Sequence, residues 1–344
     1  MEKKRPLISA RGAYAALGAA GFPKAYVQRS LPPWWDNALL ETSAGALDFA
    51  HMLKQRLGVD VHFEEGGELE VAAGPQSARF KHRSSTTEHE LHVAATVGIA
   101  LARMALFGIE TNSERLPKHP KKLGDAVRSM SGRDEVDFEG LLDYCWARGI
   151  PVLFLKDLPK TSKRITGMAV RVAGRAAIVL GLNSRQTARQ LFVLAHELAH
   201  LCLGHVSDTN ALVDEGLEAV TESLGGALED ATDEEENDAD VFALTMLRNG
   251  KSPSLTEQGL ARSPAELAVA AVSIGKSRGI DSGHLLLSYA SAHDDWLNAN
   301  MAMRYLPGME NAMSALADRF RANCDLESLT EENREYLLAA QGFQ

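Results

Sequence analysis

The stretch Ala195-His196-Glu197-Leu198-Ala199-His200-Leu201-Cys202-Leu203-Gly204-His205 decides how the rest of the chain is read. Two histidines four residues apart on a helix stand one turn apart on the same face, so both imidazoles can reach one cation, with Glu197 beside them. In a chain with 11 histidines, this HExxH pattern arises by chance in roughly a few per cent of cases, so its surroundings decide its weight. Phe192, Leu194, Ala195, Leu198, Ala199, Leu201, Cys202 and Leu203 make the segment apolar nearly all round, which predicts a helix buried on several faces. Two imidazoles and a carboxylate in such a helix are costly unless a partner satisfies them. A pair of core histidines hydrogen-bonded to neighbours is the bland reading; a catalytic zinc site is the sharper one.

A catalytic zinc takes three protein ligands and keeps a fourth position open. His196 and His200 supply two. His205 is one residue short of the extended pattern HExxHxxGxxH, because Gly204 and His205 lie eight and nine residues after His196, where the pattern needs seven and ten. If the helix ends at Gly204, His205 is placed instead to interact with the helix's last carbonyls. The third ligand is sought in the acidic run Glu234-Glu235-Glu236-Asn237-Asp238-Ala239-Asp240-Val241-Phe242-Ala243, which opens a helix with Ala239, Phe242, Ala243, Met246 and Leu247 on its buried face. Counting back three and four positions from Ala239 places Glu236 and Glu235 on that face. Carboxylates also suit a helix N-terminus for electrostatic reasons alone, which accounts for some of the run.

Upstream of the HExxH helix, Val136 to Arg148 reads as an amphipathic helix leading through Gly149 into the strand Ile150 to Leu155. Gly167 to Val172 and Ala176 to Leu182 read as two strands of a hairpin turned at Ala173-Gly174-Arg175. Asn183 or Ser184 is expected to cap the HExxH helix. A strand edge near a metal site can hold a peptide as an added strand, and this hairpin is the candidate; its other role is to cover the helix.

With these residues in view, the segment from about 130 to 250 resembles the ImmA/IrrE family of zinc metallopeptidases, through the two motifs HELAHLCLGH and Glu-x-x-Ala-Asp-x-Phe-Ala. The resemblance implies that His196, His200 and Glu236 bind Zn2+, that Glu197 is the catalytic base, and that Asp240 has an auxiliary role beside the metal; His205, from its place after Gly204, is read as a capping or auxiliary residue. It also implies a protein substrate, expected to be an intracellular helix-turn-helix transcriptional repressor cleaved under stress or in control of a mobile element. The long acidic connection between the motifs and the large flanking regions depart from the family's pattern and bear on substrate identity. Two readings of other kinds compete: a non-catalytic zinc-containing interaction protein of toxin-antitoxin type, and a DNA-binding regulator. The oxyanion-stabilising donor is left open between His205 and a tyrosine.

The remaining chain gives an α+β expectation: mainly helical, with a small antiparallel sheet packed on the HExxH helix in a zincin-like core. Residues 1–120 are expected to form an N-terminal α+β accessory region, 125–250 the metallopeptidase core, and 255–344 a C-terminal helical region. A helix from Ser43 carries Ala46, Phe49, Leu53 and Leu57 at helical spacing and stops at Gly58. Thr87-Glu88-His89-Glu90 fits a capping box ahead of the apolar run Leu91 to Phe107, whose length suits a buried helix better than a membrane span. Pro117, Pro120 and several lysines mark 111–124 as a boundary. Trp34 and Trp35 follow two prolines and are expected to pin the N-terminal arm. Trp296, Tyr305 and Phe320 are read as packing residues of the C-terminal helices.

The chain has 46 acidic and 36 basic residues, a net charge of -10, which argues against a broad nucleic-acid-binding face. Cys145, Cys202 and Cys324 are widely spaced and odd in number, which suits a reducing compartment rather than a disulfide framework. Met1 to Pro6 is basic, but no continuous apolar segment follows it, and no apolar run of about 20 residues occurs anywhere. The expectation is a cytoplasmic protein with no membrane contact.

Overall fold

A computed structural model describes residues 9–64, 68–72, 78–81, 88–110, 115–206, 211–214, 234–255 and 263–343. The helices before the metal motif are α1 (Ala10–Ala19), α2 (Lys24–Ser30), α3 (Ser43–Met52), α4 (Glu88–Phe107), α5 (Pro120–Ser131) and α6 (Phe138–Ala147). The HExxH helix is α7 (Thr187–Leu203), the acidic run opens α8 (Glu234–Leu247), and α9 (Pro264–Arg278), α10 (Ser282–His293), α11 (Trp296–Met303), α12 (Ala312–Asn323) and α13 (Glu331–Gln341) follow. The strands are β1 (Val61–Phe63), β2 (Leu69–Val71), β3 (Ala78–Lys81), β4 (Val152–Phe154), β5 (Gly167–Val172), β6 (Arg175–Leu180) and β7 (Ala211–Asp214).

β1 and β2 pair as a small ribbon, and the other strands form one mixed sheet in the order β3-β7-β5-β6-β4. Its centre is the β5–β6 hairpin, antiparallel from Gly167↔Leu180 to Val172↔Arg175. The turn residues Ala173 and Gly174 both have positive φ, 50° and 78°, which matches the right-handed twist of the two strands. β4 runs parallel to β6, β7 runs antiparallel to β5, and β3 runs parallel to β7. The hairpin expected to offer a free edge is therefore interior: β6 is flanked by β4 and β5 by β7. β7 falls in the stretch after Val206 that the sequence reading left without structure.

The sheet separates two helices. A β-carbon at Gly98 of α4 would meet Met168 Cε at 2.6 Å and Val179 Cγ1 at 3.7 Å. One residue along from Met168, a β-carbon at Gly167 would lie 2.8 Å from Glu197 Cδ of α7. Because neighbouring strand residues point to opposite faces, α4 covers one face and α7 the other. Gly167, Met168, Ala169 and Val170 are accordingly all buried, as strands covered on both faces require.

Local chemistry explains the element ends. Asp137 caps α6 by accepting from Gly140 N at 2.9 Å; Ser263 caps α9 through Glu266 N, with Pro264 in the first turn, as its sequence signature indicates. Neither Asn183 nor Ser184 caps α7: Gln186 precedes its first residue and makes no side-chain cap. Ser184 Oγ accepts from Gln186 N instead, forming the turn that admits the helix. The Thr87 capping box lies outside the described residues. Residues 120–124, read as the end of a boundary, open α5, because a proline at the first helical position gives up only an amide that has no intrahelical acceptor.

Trp35 stacks on Phe49 with ring centroids 5.3 Å apart, and Trp34 Nε1 donates to Glu332 Oε1 at 2.9 Å, so this pair ties the N-terminal arm to α3 and α13. Phe320 is buried as expected, whereas Tyr305 is exposed. No helix among the described residues is long and apolar enough to cross a membrane.

Candidate metal centre

α7 is held on all sides. The sheet lies above it, α8 packs along it, and α6 and α10 flank it. His196, Glu197 and His200 are 5%, 1% and 1% exposed, although each is an ionisable residue type seldom found so deep without a partner.

The partners come mainly from the first turns of α8. Glu236 Oε2 lies 3.3 Å from His196 Nε2, and Glu236 Oε1 lies 3.4 Å from His200 Nε2. The two Nε2 atoms are 3.0 Å apart. Three ligands each about 2.0–2.1 Å from a tetrahedral zinc would stand about 3.3 Å from one another, so the observed triangle has the dimensions of such a site. Among the described residues, these three alone form a group of His, Cys, Asp or Glu side chains able to share one ion. Glu236 Oε1 is buried and receives no hydrogen bond, which leaves it the kind of oxygen a cation would satisfy. Of the two glutamates on the inward face, Glu236 joins the cluster; Glu235 is outside it.

A second ring of contacts orients the imidazoles. His196 Nδ1 is 2.8 Å from Asp240 Oδ1. A carboxylate can only accept, so the His196 proton sits on Nδ1 and leaves a bare lone pair on Nε2, facing the cluster. Asp240 lies one turn after Glu236, so one face of α8 carries both residues.

His200 Nδ1 is 2.9 Å from His205 Nδ1. With the His200 Nε2 lone pair turned to the cluster, its Nδ1 proton is donated to His205. The chain can make this contact because α7 ends at Gly204, with φ 83°, a left-handed stop that turns His205 back over the last turn. His205 N also donates to His200 O at 3.0 Å. The structure thus brings His205 to His200, not into the group of His196, His200 and Glu236.

Glu197, about 100° round α7 from His196, lies against Gly167, the first residue of β5. There is no room for a side chain at Gly167, since a β-carbon would lie 2.8 Å from both Cγ and Cδ of Glu197. The sequence reading treated Gly167 as an ordinary strand residue. Its signal was available, because glycine inside a strand often marks the close approach of another group.

Two buried nitrogens and a partly buried carboxylate converging at these distances form a group of donors that could hold a metal ion. Residues 145–244 match the IrrE N-terminal-like domain, Peptidase_M78. This peptidase segment begins in α6, contains the hairpin and α7, and ends in α8, so it includes every residue of the cluster. No curated protein and no solved structure matches the chain.

Proposed function

We propose that this protein is a zinc-dependent endopeptidase in which His196, His200 and Glu236 hold the metal and Glu197 is the general base. The observation that carries the reading is the buried triangle of His196 Nε2, His200 Nε2 and the Glu236 carboxylate, with edges of 3.0–3.4 Å, inside a peptidase-family segment. When bound there, zinc would polarise the scissile carbonyl and make water a competent nucleophile near neutral pH.

The protein's own groups do the rest. Glu197 accepts the attacking water's proton on its carboxylate and returns it to the leaving amine. Gly167 lets that carboxylate reach the β5 backbone, and burial keeps the base away from bulk water. Asp240 and His205 hold the two ligand imidazoles in the tautomers whose Nε2 lone pairs face the metal.

The substrate proposal is an intracellular protein, specifically a helix-turn-helix transcriptional repressor, and it rests on the family resemblance. Incubation of zinc-loaded protein with an unstructured protein and with a repressor encoded beside it tests both levels. Cleavage by wild type, lost in Glu197→Gln with zinc retained, is expected. Equal cleavage by the two proteins removes the proposed role of Glu197, and bound zinc without cleavage of either substrate favours the non-catalytic interaction protein.

A further inference from the structure

Away from the metal centre, a cleft of about 440 Å³ opens between α2, the helical turn Leu53–Leu57 and α13, a size that suits a small ligand. Glu332, Glu335, Tyr336 and Ala339 of α13 line it, at the three- and four-residue spacing of one helix face. Arg56 stands in the opposite wall and is only 4% exposed. Its Nη1 donates to Ser30 O at 2.9 Å, its Nε donates to Asn333 Oδ1 at 3.3 Å, and its guanidinium carbon lies 5.3 Å from the Tyr336 ring centroid. Among the described residues no carboxylate pairs with it, and its Nη2 has no hydrogen-bond partner. The neighbouring charges are differently placed. Arg29 is held by Asp157 at 2.9 Å, and Glu332 Oε1 accepts from Trp34 Nε1 at 2.9 Å. Glu335 is exposed and, among the described residues, forms no ion pair. Burial lowers the Arg56 pKa, and Tyr336, Glu332 and Glu335 offset this only in part.

We propose that this cleft binds a free α-amino acid with an apolar side chain, its carboxylate on Arg56 and its ammonium on Glu335. A buried guanidinium without an anion is costly, and the planar fork of arginine matches a carboxylate. A bare anion fits poorly, because Glu332 and Glu335 line the same cleft and repel it; a zwitterion offers each charge its opposite. Leu31, Pro33, Leu338 and Ala339 supply apolar contact for the ligand's side chain. None of the cleft residues belongs to the group of His196, His200 and Glu236, so binding does not depend on zinc. The ligand joins α2 to α13, whose Ala340 O accepts from Lys156 N and Asp157 N and whose Gln341 Oε1 accepts from Phe154 N. It therefore braces the helix that closes the β4 edge of the sheet.

Isothermal titration calorimetry on the full-length protein tests this with L-leucine, L-methionine and L-phenylalanine as probes. Saturable binding of at least one of them is expected, with and without zinc. The N-acetyl form of that amino acid lacks the ammonium and its amide lacks the carboxylate; each is expected to bind about 10–100-fold more weakly, the cost of one hydrogen-bonded charge. Glu335→Gln is expected to weaken the amino acid by a similar factor and to leave its N-acetyl form unchanged, whereas Arg56→Gln weakens the amino acid and leaves the amide unchanged. Because Arg56 also holds Ser30 and Asn333, its variant is read only with native far-UV circular dichroism; should it fail to fold, Glu335→Gln and the two blocked forms decide. Absence of binding by all three amino acids overturns the proposal, as does equal binding of the amino acid and its blocked forms. Inorganic phosphate binding as tightly as the amino acid, with no effect of Glu335→Gln on either, also overturns it and leaves a simple anion site.

Discussion

Glu197 and Gly167 are a matched pair: the Glu197 side chain can lie against β5 because β5 begins with a residue that has no side chain. Gly167→Ala puts a methyl group into the Glu197 carboxylate, and overpacking of this kind costs about 1–3 kcal/mol. The expected outcome is a folded protein of lower denaturation midpoint whose zinc content is normal and whose hydrolytic rate is depressed. Glu197→Gln keeps the shape and removes the base, so zinc stays and turnover drops by about 10²–10⁴-fold. At the proposed metal ligands, Asp240→Ala removes the acceptor of the His196 Nδ1 proton. Chelator competition is expected to show metal binding weakened by about 10–100-fold. An unchanged affinity would mean that packing alone fixes the ring.

Among the elements, α10 carries a pH response of its own. Burial, with Arg248 nearby as the smaller cause, lowers His284 to about 3, and burial raises Asp281 at the cap of the same helix to about 6. Below the ordinary histidine range the unfolded chain takes up a proton that folded His284 refuses, so its contribution to stability is lost as pH falls from about 6.5 toward 3. Asp281 works in the opposite sense, since its stabilising protonation is present at low pH and lost as pH rises from about 4 through 6. The two slopes oppose each other between about pH 4 and 6. Denaturant midpoints across that range are expected to fall with acid more steeply in Asp281→Asn than in wild type, and to rise with acid in His284→Gln. Parallel profiles for the three proteins would contradict this account.

The elements also show what the sequence made readable. Helical spacing in a run as apolar as Phe192 to Leu203 marks a buried helix wherever it sits, and the four-residue offset of His196 and His200 fixes their common face. The inward stripe of Ala239, Phe242 and Ala243 likewise narrowed the third ligand to Glu235 or Glu236, and the family resemblance selected Glu236. The pairing of β7 with β5 was illegible because a four-residue strand has little periodicity, and its place depends on a partner more than 40 residues earlier. The role of His205 was only half readable. Its distance from the motif excluded the extended ligand pattern, but the bond to His200 depends on the backbone turn at Gly204.

At the scale of the whole molecule, segments far from the motif complete the core that holds it. The sheet draws β3 and its covering helix α4 from before residue 120, while α12 and α13 close it beyond β4. Removal of residues 331–344 would strip the acceptors at Ala340 and Gln341 from the β4 side and expose a sheet edge. Lower solubility and a lower melting temperature are expected in that truncation. The three cysteines are buried and unpaired with one another, and burial pushes Cys202 and Cys324 up to about 12 and Cys145 higher still. A thiol reagent at pH 8 is therefore expected to find almost no reactive cysteine in the native protein and all three after denaturation, since the thiolate is the reacting form.

The ligand triangle is tested most directly by metal analysis of wild type, Glu235→Ala and Glu236→Ala, each purified in zinc and dialysed free of excess. About one zinc per chain in wild type and in Glu235→Ala, with loss from Glu236→Ala, is the predicted result. Stoichiometric zinc in Glu236→Ala, or its loss from Glu235→Ala alone, would contradict the site described here.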